Sequence, residues 1–531
     1  MKRYILVLSF ATACAFSLSS CSDFLEEPIL GQQGMDNYFT TEEECAKQVI
    51  GCYQGIACDD WWQIYKFYNA SEMCTDDAWM GNTTQDAGNY RHLTMYTGNT
   101  IEGGNACQDF WQYRYKGIFQ CNVAIQKIPR LTFNNETYKQ RLLGEAKFLR
   151  AYQYFELVRN FGGVPLVKGL KMPNEIKGIT RASVEETYAM IEQDLLEAIE
   201  VLPLRSAQSS AEIGRATKGA AQGLLAKVYL YQEKYKEAET QLQAVMKSNE
   251  YSLLSNFSDV WSMDHNNSQE SLFEIQTSGE ISYKLGERYS VVVGSRDDSG
   301  WSWGLPSSHL EKAFTDEGDN IRLLWTILHH NQTYVPNDNT WSATNPYIIT
   351  PSKHKSARCN MKLYIPRAKR VKPYDAPHIA LNFRLLRYAD ILLMYAEVEN
   401  QLGKDTEAQQ ALNQVRKRVN LANVTATGKQ LRDAIRKERR LELAFENNRL
   451  YDLRRWKDDN GKAAICNVMG PNGSWVIYNT KTSSDQYEKS NQNESSSEGS
   501  AFTEGRDELF PIPNSEIILS GGSIKQNPGY N

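Results

Sequence analysis

Leu225-Ala226-Lys227-Val228-Tyr229, followed by Ala238-Glu239-Thr240-Gln241-Leu242, decides the fold, and Tyr395-Ala396-Glu397-Val398-Glu399 with Ala408 and Leu412 echoes it. Apolar residues three and four apart lie on one side of a helix, and the small residues between them let two helices approach closely. Working outward, the same period returns. Trp111, Tyr115, Ile118 and Ile125 form a stripe within 105–128, and Leu142, Phe148, Tyr152 and Phe155 form another within 136–160. Thr41-Glu42-Glu43-Glu44 is a capping box opening a helix to about Ala57, and Ser183-Val184-Glu185-Glu186 opens one to about Val201. The run Tyr388 to Val398 is apolar nearly all round but carries Asp390 and Glu397, so it predicts a buried helix rather than a membrane span. The chain is therefore expected to be mainly α, a scaffold of helical hairpins.

The L-A-x2-Y and A-x3-L spacing is similar to the tetratricopeptide repeat. The second copy has Glu399 where an aromatic is expected and the copies are not in tandem, which predicts a degenerate repeat scaffold interrupted by long insertions. Residues 55–104 and 255–380 lack helical period, carry most of the tryptophans, and are rich in Asn, Asp, Gly and Ser. Residues 470–508, polar and rich in Ser, Asn and Glu, read as a mobile loop.

The N-terminus carries an address. Lys2 and Arg3 precede an apolar run, Tyr4 to Leu18, too short for a span of about 20 residues. It ends in Leu18-Ser19-Ser20-Cys21, which resembles the lipobox of bacterial lipoproteins. Residues 1–20 are expected to be a signal peptide, Cys21 the lipidated first residue, 21–40 a tether and 41–531 one body. Removing 1–20 takes away two cations and no acid, moving the net charge from −5 to −7. With 59 Lys+Arg against 64 Asp+Glu there is no basic excess for a phosphate backbone, so nucleic acid is not an expected partner.

Eight cysteines remain after Cys14 and Cys21, six of them between Cys45 and Cys121. Cys45 and Cys52 lie about 10 Å apart along a helix, and Cys107 and Cys121 about 21 Å, so neither pair can bridge internally. Bridges between segments and free buried thiols both stay open. No C-x2-C pair or histidine cluster supplies a metal site, and no cofactor is expected.

Tests for chemistry return little. No G-x-S-x-G, P-loop or H-E-x-x-H occurs. Asp76-Asp77 could serve a glycosidase only if two carboxylates face each other across a cleft, and no catalytic residue is assigned. The alternating charges of Leu431 to Trp456 read as ion-pair ladders between packed helices. The aromatic surplus, 11 Trp and 29 Tyr, is the better lead, because sugar rings stack their C–H faces on Trp and Tyr while neighbouring polar groups bind hydroxyls. The candidate ligand contacts are Trp61, Asp76, Asp77, Trp79 and Asn82 in the first insertion and Trp301, Trp303, Tyr334 and Trp341 in the second, with Trp62 and Trp325 nearby. Arg358, Arg367, Lys369, Arg370 and Lys372 form a basic cluster that either attracts an acidic ligand or is a solvated loop.

Four segments together resemble the SusD/RagB family of Bacteroidetes outer-membrane lipoproteins. They are Gly144-Glu145-Ala146-Lys147-Phe148-Leu149-Arg150-Ala151-Tyr152 running to Phe161-Gly162-Gly163-Val164-Pro165-Leu166, then Leu386 to Glu397, then Arg436 to Glu446 with Arg449 to Trp456, and finally Leu509-Phe510-Pro511-Ile512-Pro513 with Gln526-Asn527-Pro528-Gly529-Tyr530. The resemblance implies a non-catalytic, surface-exposed, lipid-anchored protein that captures oligo- or polysaccharide and delivers it to a SusC-type TonB-dependent transporter. Acidic Asp23, Glu26 and Glu27 look like the family's surface-display tether. A peptide-binding lid of a RagAB-type importer is the alternative, and a surface glycosidase a further one.

Overall fold

The computed structural model describes residues 39–530 apart from 58–60, 82–85, 98–100, 172, 281–285, 287, 351–352, 371–378 and 491–497. The side chains of 61–64, 101–105, 173–174 and 489–490 lie outside that description too, as do the expected signal peptide, Cys21 and nearly all of the expected tether.

The main helices are α1 (Glu42–Ala57), α2 (Trp61–Met73), α3 (Ile101–Lys127), α4 (Glu136–Phe161), α5 (Val184–Val201), α6 (Lys218–Tyr231), α7 (Tyr235–Lys247), α8 (Ser308–Glu317), α9 (Asn320–Thr326), α10 (Tyr388–Gln401), α11 (Asp405–Arg418), α12 (Gly428–Glu442) and α13 (Arg449–Arg455). Both predicted capping boxes form. The Thr41 hydroxyl accepts from the Glu44 N–H while Glu44 accepts from the Thr41 N–H, and Ser183 and Glu186 do the same.

Sequential helices pack as neighbours: α1 on α3, α3 on α4, α4 on α5, α6 on α7, α7 on α10, and α10 on α11 and α12. The quoted hairpins are α6–α7 and α10–α11, with Ala226, Ala238, Leu242, Ala396, Ala408 and Leu412 buried at their seams. Close approach is most evident where a Cβ on Gly55 of α1 would sit 2.9 Å from Gly117 Cα of α3. No described helix is long and apolar enough to cross a membrane.

The α10–α12 seam is held by buried charge. Asp390 accepts from Lys227 Nζ at 3.0 Å and Arg439 Nη1 at 2.8 Å. Glu442 accepts from Arg387 at 2.6 Å and Arg322 at 3.0 Å, and pairs with Arg418. The ladder read in Leu431–Trp456 is therefore structural, but its partners come from Lys227 of α6, Arg322 of α9, Arg387 just before α10 and Arg418 of α11 as much as from the segment itself. Glu442 is held well below the usual carboxylate range; burial opposes ionisation, and the three guanidiniums outweigh it.

Three two-stranded antiparallel pairs stitch the insertions: β1 (Ala78–Trp79) with β3 (Leu305–Pro306), β2 (Ser271–Ile275) with β6 (Phe383–Arg387), and β4 (Ile327–His329) with β5 (Arg358–Asn360). The insertions, read as lacking helical period, contain α2 in the first and α8 and α9 in the second. The 470–508 segment is not a free loop: Trp475 is 1% exposed and packs on Trp79 at 4.8 Å. Among the described residues the seven cysteines, Cys45 through Cys466, are free thiols.

Candidate functional site

The two insertions meet. β1 pairs with β3, Ser307 N–H donates to Asp77 O at 2.9 Å, and Arg296 of the second insertion pairs with Asp86 of the first. This brings Asp76, Asp77 and Trp79 against the second insertion, but the candidates differ in role.

Asp76, Asp77 and Trp79 are core. Arg449 Nε donates to Asp76 at 2.9 Å and Arg440 Nε to Asp77 at 2.7 Å, both carboxylates being at most 2% exposed. Burial pushes Asp76 up, but Arg440 and Arg449 more than reverse it, so its carboxyl ends far below the usual range. His309, desolvated and facing the same Arg440, is pushed down to about 4 and is neutral at pH 7. Its Nδ1 accepts from Arg440 Nη2 at 2.9 Å, and its 3.4 Å approach to Asp76 is no ion pair. Trp79 is fully buried, donates Nε1–H to Glu488 at 3.0 Å and packs on Trp475, so it presents no face to a ligand in this conformation. The expectation for these three is corrected: adjacency in sequence placed them near the face, and long-range arginines and Trp475 then drew them inside. Trp61 lies on α2 with its side chain outside the described residues, and Asn82 is outside them altogether.

The second insertion keeps its aromatics nearer the surface. Trp301 and Trp303, both half-buried, meet edge to face at 5.0 Å. Their backbone is fixed by N–H bonds to Val291 O (2.8 Å) and Val292 O (3.0 Å), with Ser302 between them at φ 58°. Such a left-handed turn lets residues on either side of it splay toward the same face. Lys66 of α2 lies 5.8 Å from the Trp301 ring centroid. Trp341, also half-buried, donates Nε1–H to Tyr364 Oη at 2.9 Å, meets Tyr347 at 4.9 Å, and carries the Arg367 guanidinium at 4.2 Å from its ring. Tyr364 Oη donates in turn to Asp338 at 2.8 Å. Burial raises Asp338, and hydrogen bonds from Arg367 N–H, Thr340 and Tyr364 outweigh it, leaving a carboxylate that rigidly orients the Trp341–Tyr364 unit. Tyr334 is 61% exposed and borders a shallow cleft of about 470 Å³ with Asn320, His329, Asn331 and Gln332.

The basic cluster is not a solvated loop. Arg367 and Arg370 both bind Asp298, Arg358 binds Glu311 and Asp485, and Lys369 binds Asp264; Lys372 lies outside the described residues. Sequence reasoning missed Tyr364 and Lys66, which only the fold brings to Trp341 and Trp301, and Asp298, which lies three residues before Trp301 but whose partners Arg367 and Arg370 come from about 70 residues later. Among the described residues no group of His, Cys, Asp and Glu is arranged to hold a metal.

A stack of helical hairpins that displays a fixed, partly exposed aromatic surface on inserted loops defines a repeat-scaffold protein whose aromatic surface is carried by insertions. The chain belongs to the SusD family, whose profile matches residues 260–530; the profile "Starch-binding associating with outer membrane" matches residues 23–230. A SusD-like protein of Formosa agariphila is 26% identical over the full length of both chains. Another from the same organism is 29% identical over 68% of this chain and 73% of its own. Among solved structures, a laminarin-binding SusD-like protein superposes with a TM-score of 0.73 at 26% identity, covering 92% of this chain and all of the other.

Proposed function

We propose that this protein is a non-catalytic, lipid-anchored glycan-binding protein of the outer-membrane surface, which captures oligo- or polysaccharide and delivers it to a SusC-type TonB-dependent transporter. Family membership and the laminarin-binding relative support the carbohydrate assignment. The observation that carries it is the Trp301–Trp303 corner: two half-buried indoles at 5.0 Å on a hydrogen-bonded turn, preorganised to stack sugar rings without ordering cost. Trp341, held by Tyr364 and Arg367, supplies a second platform, and Tyr334 a third, more exposed ring. Shallow stacking sites bind weakly one at a time, and a polymer engaging several gains by effective concentration while still releasing to the transporter. The lipid on Cys21 and the tether after it hold this body at the membrane.

Native affinity electrophoresis of the full chain in detergent, through gels containing neutral, acidic and mucin glycans, tests the reading. Retardation by at least one glycan is expected, with Trp301→Ala and Trp303→Ala each relieving most of it. Equal retardation of these variants would remove the Trp301–Trp303 corner from the site.

A further inference from the structure

On this glycan-binding reading, we infer that the face selects uncharged glycans and that Asp298 is the residue that excludes acidic ones. The sequence places enough arginine and lysine around Trp341 for a polyanion site, but the structure spends those cations internally. The Asp298 carboxylate takes Arg370 through both oxygens, at 2.8 and 2.6 Å, and Arg367 at 3.0 Å. Asp298 itself is 7% exposed on its side chain and Arg370 12%, so this bidentate lock is largely desolvated. Every other described cation named in that cluster has its own carboxylate: Arg358 has Glu311 and Asp485, and Lys369 has Asp264. At the edges of the face, Lys353 binds Asp297 at 2.6 Å and Arg296 binds Asp86. Lys66 is directed at the Trp301 ring instead.

The position of Asp298 makes it decisive. It sits three residues before Trp301 on the same loop, and its partner Arg367 lies on the Trp341 ring at 4.2 Å, so the carboxylate joins the two aromatic platforms. A uronate or sulfate approaching Trp341 meets Arg370, whose fork Asp298 fills, and Arg367, which already gives Asp298 its Nε and Nη2. To take Arg370, or the Nε–Nη2 edge of Arg367, it must displace Asp298, leaving a nearly buried carboxylate unpaired beside a second anion. A neutral sugar pays neither penalty; it needs an indole face and hydrogen-bonding neighbours, which the lock leaves in place. The net charge of the chain, −5, adds long-range repulsion of polyanions.

The test uses the full chain in detergent, electrophoresed through gels containing laminarin, starch, polygalacturonate or chondroitin sulfate. The expected result is retardation by a neutral polymer and none by the two anionic ones. Asp298→Asn frees Arg367 and Arg370 and is expected to create binding to polygalacturonate, on the order of tenfold tighter than wild type, that disappears in high salt. Asp264→Asn, at a solvent-exposed pair of the kind that contributes little to stability, frees only Lys369 and is expected to give a smaller gain of the same sign. Wild-type retardation by an anionic polymer as strong as by any neutral one would overturn the inference while leaving the glycan-binding reading intact. So would the absence of any gain in both variants. Failure of every polymer to retard the wild type would overturn the glycan-binding reading, and this inference with it.

Discussion

Glu72 offers a quantitative check on how dry the junction between α2 and the α12–α13 turn is. The residue is 1% exposed; its Oε1 accepts the Asn447 N–H, and its Oε2 has no hydrogen-bond partner among the described residues. Burial, and then the neighbouring Asp77 carboxylate, push its pKa up from 4.5 to about 8. The folded state thus holds a proton that the unfolded state releases above about pH 4.5. A group whose folded pKa is raised contributes full stability below the unfolded pKa and loses it as pH rises through the folded one. With these two values the loss, relative to acid conditions, is roughly 1 kcal/mol near pH 5, roughly 3 kcal/mol near pH 7 and between roughly 4 and 5 kcal/mol near pH 9. Glu72→Gln cannot ionise and keeps an acceptor for Asn447. Its stability relative to wild type is therefore expected to climb by about 2.5 kcal/mol between pH 5 and 7 and by about 4 kcal/mol between pH 5 and 9. Urea unfolding of the two proteins at the three pH values measures this. Glu498, also pushed up to about 8 by burial, titrates identically in both proteins and cancels in the difference. A stability difference that stays constant with pH would refute the reasoning, because it would show Glu72 ionised in the fold and the junction hydrated.

Two further perturbations probe the scaffold. Asp390→Asn is expected to cost about 3–5 kcal/mol in the same denaturant assay, since it leaves Lys227 and Arg439 buried beside a neutral amide; a loss below about 1 kcal/mol would mean that the charged seam does not hold α6, α10 and α12 together. Gly163→Ala is expected to cost about 1–3 kcal/mol, because its Cβ would come 2.1 Å from the Ala182 carbonyl oxygen, a backbone atom with no flexible end to yield; unchanged stability would show that the chain around Phe161–Pro165 can shift.

What could be read in the sequence follows the range of the interactions involved. The capping boxes at Thr41 and Ser183 and the stripes of α3 and α4 depend on residues three or four apart, and these were legible. α2 was missed for a physical reason. From Tyr65 to Met73 only Lys66 is not buried, so the segment has no polar face and therefore no period. Trp79 and Asp76 were misjudged because their fate depends on Trp475, Arg440 and Arg449, more than 360 positions away. The cationic cluster offers the same lesson at shorter range. Arg367 and Arg370 look available in one dimension, and only the fold brings Asp298, about 70 residues earlier, between them.

That division has a consequence for how such a protein changes its ligand. The helical seams are specified by local pattern and buried charge. The aromatic face is specified by a few contacts between insertions: the turn at Ser302, the Trp341–Tyr364 bond and the Asp298 lock. None of these three features lies in a seam between scaffold helices. A substitution such as Asp298→Asn can therefore alter the charge of ligand accepted while leaving the hairpins folded, whereas Asp390→Asn should destabilise the hairpins without altering which charge the face of the folded protein prefers. If the two substitutions exchanged effects, with binding lost through Asp390 and stability lost through Asp298, scaffold and face would not be separate.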